Sequence, residues 1–145
     1  MGDCLFDSIS FALSASDIDV SASELRQFVA RKAVHPAFAE TRAFWASMLD
    51  TDLKEQFSFA KPILSNDMDK LYANMLDANL YWGEDFALQR LADRYSCRFL
   101  VLGKRCSASV THPTRPRHAS TLVLLYLANS HYEPLELANS FVQLI

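Results

Sequence analysis

The hydrophobic period of this chain changes once, near residue 96, and that single change limits the folds open to it. Before it, apolar residues recur at spacings of three and four, the stripe of amphipathic helices. Leu5, Ile9, Ala12 and Leu13 mark a short helix from Cys4 to about Leu13. Ser21 or Ser23 caps a second, with Glu24 in its first turn and Leu25, Phe28 and Val29 on one face. His35-Pro36 interrupts, and Pro36 opens a third helix from Ala37 to Leu49. Asp52 to Phe57 and Met68 to Leu80 read as further helices about a Lys61-Pro62 turn, and Glu84 to Tyr95 as the last. After it, Phe99-Leu100-Val101-Leu102 reads as a short buried strand and Leu122 to Leu127 as a central one. His131 to Leu137 returns as its partner across an Ala128-Asn129-Ser130 turn. Gly103 to Ser120 is polar and proline-containing, hence a long loop or an irregular hairpin. Helices followed by a few strands predict an α+β domain with a small β-sheet packed between helices.

Composition narrows the partners. The 145 residues are enough for one domain spanning 1–145, with half the chain hydrophobic and 21% charged. A net charge of −3 leaves no basic stripe to neutralise phosphates, so a nucleic-acid partner is not expected. The one basic cluster, Arg115-Pro116-Arg117-His118, reads as a solvated loop. No window reaches the ~18 apolar residues of a membrane helix, so no membrane partner is expected. The start has no signal-peptide layout, and Phe6 stands where myristoylation wants Ser or Thr. Three cysteines, Cys4, Cys97 and Cys106, form no CxxC pair and suit neither a disulfide framework nor a zinc site. They point to a reducing compartment such as the cytoplasm. His35, His112, His118 and His131 are too scattered for a sequence-local metal motif, so neither metal nor other cofactor is expected.

Three stretches carry chemistry. A thiol at the start of a helix meets unpaired backbone N–H groups and the positive end of the dipole, which favour a thiolate. Gly2 before it would let the turn aim N–H groups at an oxyanion. Taken alone, though, Cys4 is as simply a small core residue. His131 follows an apolar strand that would deliver its imidazole to a cleft, and Glu133 two positions on shares its face of the strand. Together they would make a Cys–His–acid arrangement, although a strand-end histidine is more often a turn residue. Tyr81-Trp82-Gly83-Glu84-Asp85 reads as core aromatics followed by a helix cap.

The order of these stretches is more specific than any one of them. GDCLFDSIS, then YWGEDFALQRLADRYSCRFLVL, then an apolar strand ending in SHYEPL resembles the ovarian tumour (OTU) family of cysteine proteases across essentially the whole chain. The resemblance implies a papain-like α+β fold without metal or organic cofactor. It makes Cys4 the nucleophile and His131 the general base and later acid, with backbone N–H groups of Gly2 and Asp3 in the oxyanion hole. Glu133 would orient the histidine, and Trp82 and Gly83 would lie near the groove for the substrate's C-terminal tail. The expected activity is that of a deubiquitinase, a monomer cleaving isopeptide bonds after the C-terminal Gly of ubiquitin or a ubiquitin-like modifier.

Two departures stand out. The family's acid three residues before the cysteine is Met1 here, so the domain reads as trimmed at its N-terminus or as beginning at the nucleophile, and the Gly2-Asp3 turn has no upstream chain to brace it unless the N-terminus packs against something else. Glu133 stands where many members have Asp, which leaves Asn129 as the fallback third residue. The rival readings are an OTU-fold module that binds ubiquitin or another protein without cutting, and a cysteine protease that processes a larger precursor.

Overall fold

The computed structural model describes residues 3–103, 108–115, 120–127 and 131–134, with backbone alone at 120, 122–127 and 131–134. The chain begins with α1 (Cys4–Ser14) and α2 (Ala22–Val34), followed by a 3-10 turn at Pro36–Phe38 that leads into α3 (Ala39–Met48). Then come α4 (Met68–Leu76), α5 (Asp85–Tyr95) and the strands β1 (Cys97–Leu102), β2 (Ala108–Thr111), β3 (Ser120–Leu127) and β4 (His131–Pro134). The switch from helix to strand falls at Ser96, whose left-handed backbone (φ 50°) ends α5. Among the described residues no helix is long and apolar enough to cross a membrane.

The strands form one sheet in the order β2-β1-β3-β4, with β1 parallel to β3 and both outer strands antiparallel to their neighbours. Within the expected loop or hairpin at 103–120, the described Ala108 to Thr111 pair antiparallel with Leu102 to Phe99, as in a hairpin. On the other side Leu127 pairs with His131 and Leu125 with Glu133. The helix α1 packs against β4 and β3, α5 against β1 and β2, and α2 bridges α1, α4 and α5. Leu5, Phe6, Ile9 and Leu13 of α1 are buried in one core with Leu25 and Val29 of α2, Leu71 and Met75 of α4, Leu91 of α5 and Phe99 of β1.

Ser21 caps α2, accepting a hydrogen bond from the Glu24 N–H at 3.1 Å. Two expected helices are corrected. Asp52 to Phe57 is a succession of turns closed by i→i+3 bonds such as Lys54 N–H to Thr51 O, and Thr51 Oγ1 accepts from the Leu53 N–H at 3.1 Å. Six residues give a helix too little length to offset nucleation, and the threonine hydroxyl competes for the backbone. The helix from Met68 stops at Leu76 rather than Leu80, because the Asp77 carboxylate accepts from the Asn79 N–H at 2.9 Å and turns the chain.

Candidate active site

Cys4 occupies the first position of α1 and is half-buried, with Asp3 at the helix boundary. The first turn closes when the Asp7 N–H donates to Asp3 O at 2.7 Å. Asp3 does not cap the helix with its side chain. Its carboxylate faces Arg26 of α2, whose Nε and Nη2 donate to Asp3 Oδ1 at 3.0 and 2.7 Å. The same guanidinium is only 4% exposed, and its Nη1 donates to the carbonyls of Met75 (2.9 Å) and Tyr81. Its central carbon Cζ lies 4.6 Å from the centre of the Phe6 ring. One arginine thus fastens the residue before Cys4 to α2, to the end of α4 and to the segment leading into α5, with most of its donors matched to acceptors.

The brace on this turn comes from elsewhere in the chain, and the sequence reading did not identify Arg26 as its source. A signal for it exists. Arg26 opens the series Arg26, Val29, Ala30, Ala33, an apolar stripe at i, i+3, i+4 and i+7, and every member is buried. A charge at the head of such a stripe must find polar partners inside.

The second block meets α1 directly. Gly83 has φ +90°, and a Cβ there would stand 2.6 Å from Leu5 Cδ2 and 3.2 Å from Phe6 Cε2. Glycine is required twice, for the backbone angle and for the approach to α1 next to Cys4. Tyr81 is buried, its hydroxyl donating to Glu84 Oε1 at 2.6 Å, while Glu84 Oε2 accepts from the Phe86 N–H at 2.9 Å and caps α5. Burial pushes the Glu84 carboxyl up to about 7 against these two stabilising hydrogen bonds. The core-and-cap reading of Tyr81 and Glu84 therefore holds, whereas Trp82 is 45% exposed.

Trp82, Gly83, Glu84 and Asp85 line a cavity of about 700 Å³, together with residues that include Glu55 and Phe59. Cys4 is not among its described lining residues, and Gly83 is the link between cavity and helix. His131 and Glu133 lie in β4, two positions apart on the strand that α1 packs against, with only their backbone described. Gly2, Met1 and Asn129 lie outside the described residues, as do Cys106 and His118.

Comparison with known proteins agrees with this architecture. No curated protein sequence matches the chain. Solved structures do: an OTU deubiquitinase from Wolbachia pipientis wMel aligns with a TM-score of 0.59 at 18% identity, over 92% of this chain and 81% of that one. An OTU domain in complex with ubiquitin aligns at 0.56 and 16% identity, over 92% of this chain and 63% of its own. The viral OTU domain protease from Dera Ghazi Khan virus aligns at 0.51 and 20% identity, over 92% and 73%. These likenesses establish the papain-like α+β fold. The family model described as OTU-like cysteine protease matches residues 1–139, so the chain belongs to that family.

Proposed function

We propose that this domain is a thiol-dependent isopeptidase acting on ubiquitin or a ubiquitin-like modifier. The observation that carries the reading is the packing of α1, which opens at Cys4, against β4, which opens at His131. The Cys4 sulfur attacks the carbonyl of the modifier's C-terminal glycine, and the resulting oxyanion is met by backbone N–H groups of Gly2 and Asp3. His131, after taking the thiol proton, gives it to the departing lysine amine. Water deprotonated by the same imidazole then hydrolyses the thioester and regenerates the thiol. Glu133, or Asn129 in its place, orients the ring through its other nitrogen. The exposed Trp82 and the half-buried Gly83, on the wall of the 700 Å³ cavity, form the groove for the modifier's tail.

The ubiquitin complex of a domain with this fold supports the choice of modifier. The domain acts as a monomer, in a reducing compartment such as the cytosol, where a catalytic thiol persists. Wild type should cleave a fluorogenic ubiquitin C-terminal substrate and be labelled at Cys4 by an electrophile-tipped ubiquitin. Cys4→Ala should abolish both. Cleavage retained by Cys4→Ala would overturn the reading, and ubiquitin binding without turnover in wild type would establish a binding module instead.

A further inference from the structure

The far half of α5 carries a second concavity, about 730 Å³, that the proposed chemistry does not use. It lies some 9 to 15 Å along the helix axis from Glu84, judged by the rise per residue to Arg90 and Arg94. α2 supplies Arg31 and Lys32 on one wall, α5 supplies Arg90 and Arg94 on the other, and His35 closes one end. Four permanent cations here face a single lining carboxylate, Asp93, on a chain whose net charge is −3.

That carboxylate is already engaged. Asp93 Oδ1 accepts from the Thr114 N–H at 2.6 Å and from Gln89 Nε2 at 3.2 Å, while Oδ2 accepts from Thr114 Oγ1 at 3.1 Å and sits 3.7 Å from Arg90. Among the described residues Arg31, Lys32 and Arg94 enter no ion pair, and the buried Arg90 Nε has no hydrogen-bond partner. At the C-terminal end of α2 the Ala33 and His35 carbonyls already accept from Arg42 Nη1 at 2.7 and 2.8 Å. His35 Nδ1 accepts from the Ala37 N–H at 3.0 Å, so the neutral ring carries its proton on Nε2 and can donate as well.

The aromatic rings of the cleft are not free platforms. Arg90 lies 4.6 Å from the Phe38 ring centre, and Lys32 and Arg94 lie 5.5 and 5.7 Å from that of Phe28. These contacts engage the rings with the cations that line the cleft. Walls of like charge repel across the concavity, and a multivalent anion seated between them would replace repulsion with charge-assisted hydrogen bonds.

We propose that this cleft binds a small ligand carrying several linked phosphoryl groups, bridging α2 and α5. The test is calorimetric titration of the full chain with inorganic tripolyphosphate at constant ionic strength, with sulfate and a nucleoside triphosphate as comparisons. The expected result is saturable one-to-one binding, at least about tenfold tighter than sulfate and no weaker than the nucleoside triphosphate. The pair Arg31→Gln/Lys32→Gln and the single Arg94→Gln, all at exposed positions, should each weaken it by about tenfold or more while leaving the fold intact. Non-saturable binding, parity with sulfate, a nucleoside triphosphate that binds tenfold tighter, or variants that bind like wild type would each overturn the proposal.

Discussion

Arg26 holds Asp3 from 23 positions away, through two nitrogens on one carboxylate oxygen, and that carboxylate belongs to the residue directly before Cys4. The pair is asymmetric. The arginine side chain is 5% exposed and the aspartate 47%, so the guanidinium depends on its partners more than the carboxylate does. Arg26→Met leaves the Met75 and Tyr81 carbonyls and the Asp3 charge without their donor, and should cost about 3 kcal/mol of stability in urea denaturation. Asp3→Asn keeps an acceptor oxygen and should cost about 1 kcal/mol or less, with slower labelling of Cys4 by a ubiquitin probe as the larger effect.

Gly83 and Leu5 form the other contact that fixes the start of α1. Gly83→Ala puts a Cβ 2.6 Å from Leu5 Cδ2 at a φ of +90°, and should destabilise by about 2 to 4 kcal/mol. Adding Leu5→Ala removes the closest contact but neither the Phe6 approach at 3.2 Å nor the backbone strain, so the double variant should be more stable than the sum of the single losses predicts. Denaturation midpoints of the four proteins in that cycle measure the difference.

Glu84 makes stability depend on pH with a definite sign. Its carboxyl is raised in the native state from 4.5 to about 7, so between those values the folded protein keeps a proton that the unfolded chain has lost. Its contribution is therefore full below about pH 4.5, declines as pH rises, and is gone above about 7. Glu84→Gln, which keeps a carbonyl oxygen for the Phe86 N–H, should flatten this slope and narrow the gap between stability at pH 5 and pH 8. An unchanged slope would mean that Glu84 ionises in the native state much as it does in the unfolded chain.

The two described thiols should differ sharply in reactivity. Burial pushes Cys97 up to about 12, which leaves almost no thiolate at neutral pH, whereas Cys4 is half-buried at a helix start. Iodoacetamide at about pH 8 should modify Cys4 in the native protein and reach Cys97 only after denaturant is added. Peptide mass mapping over a time course distinguishes the two.

How far the sequence is legible depends on the range of the interaction. The helix start at Cys4, the serine cap at Ser21 and the change of period at Ser96 are local, set by side chains within a turn of one another, and each is found where expected. The shortened helix at Asp77 and the turns at 52–57 are also local, but they hinge on side chains competing with backbone, which hydrophobic period does not register. The brace on Asp3 and the closeness of Gly83 to Leu5 join residues that only the tertiary fold brings together, with at most a hint in a charged residue heading an apolar stripe. Of the candidate site, Cys4, Asp3, Trp82 and Gly83 fall in one neighbourhood around α1 and α5, and His131 and Glu133 in the strand beside it.

The helix that opens at Cys4 and the strand it packs against are made at opposite times. α1 leaves the ribosome before every other described element, and β4 after all of them, about 6 to 25 s later at ordinary rates of synthesis. Throughout that interval α1 has no β4 to pack on, and the neighbourhood of Cys4 is incomplete. Packing of α1 on β4, and with it any chemistry that needs both elements, therefore waits until the last described strand has been made.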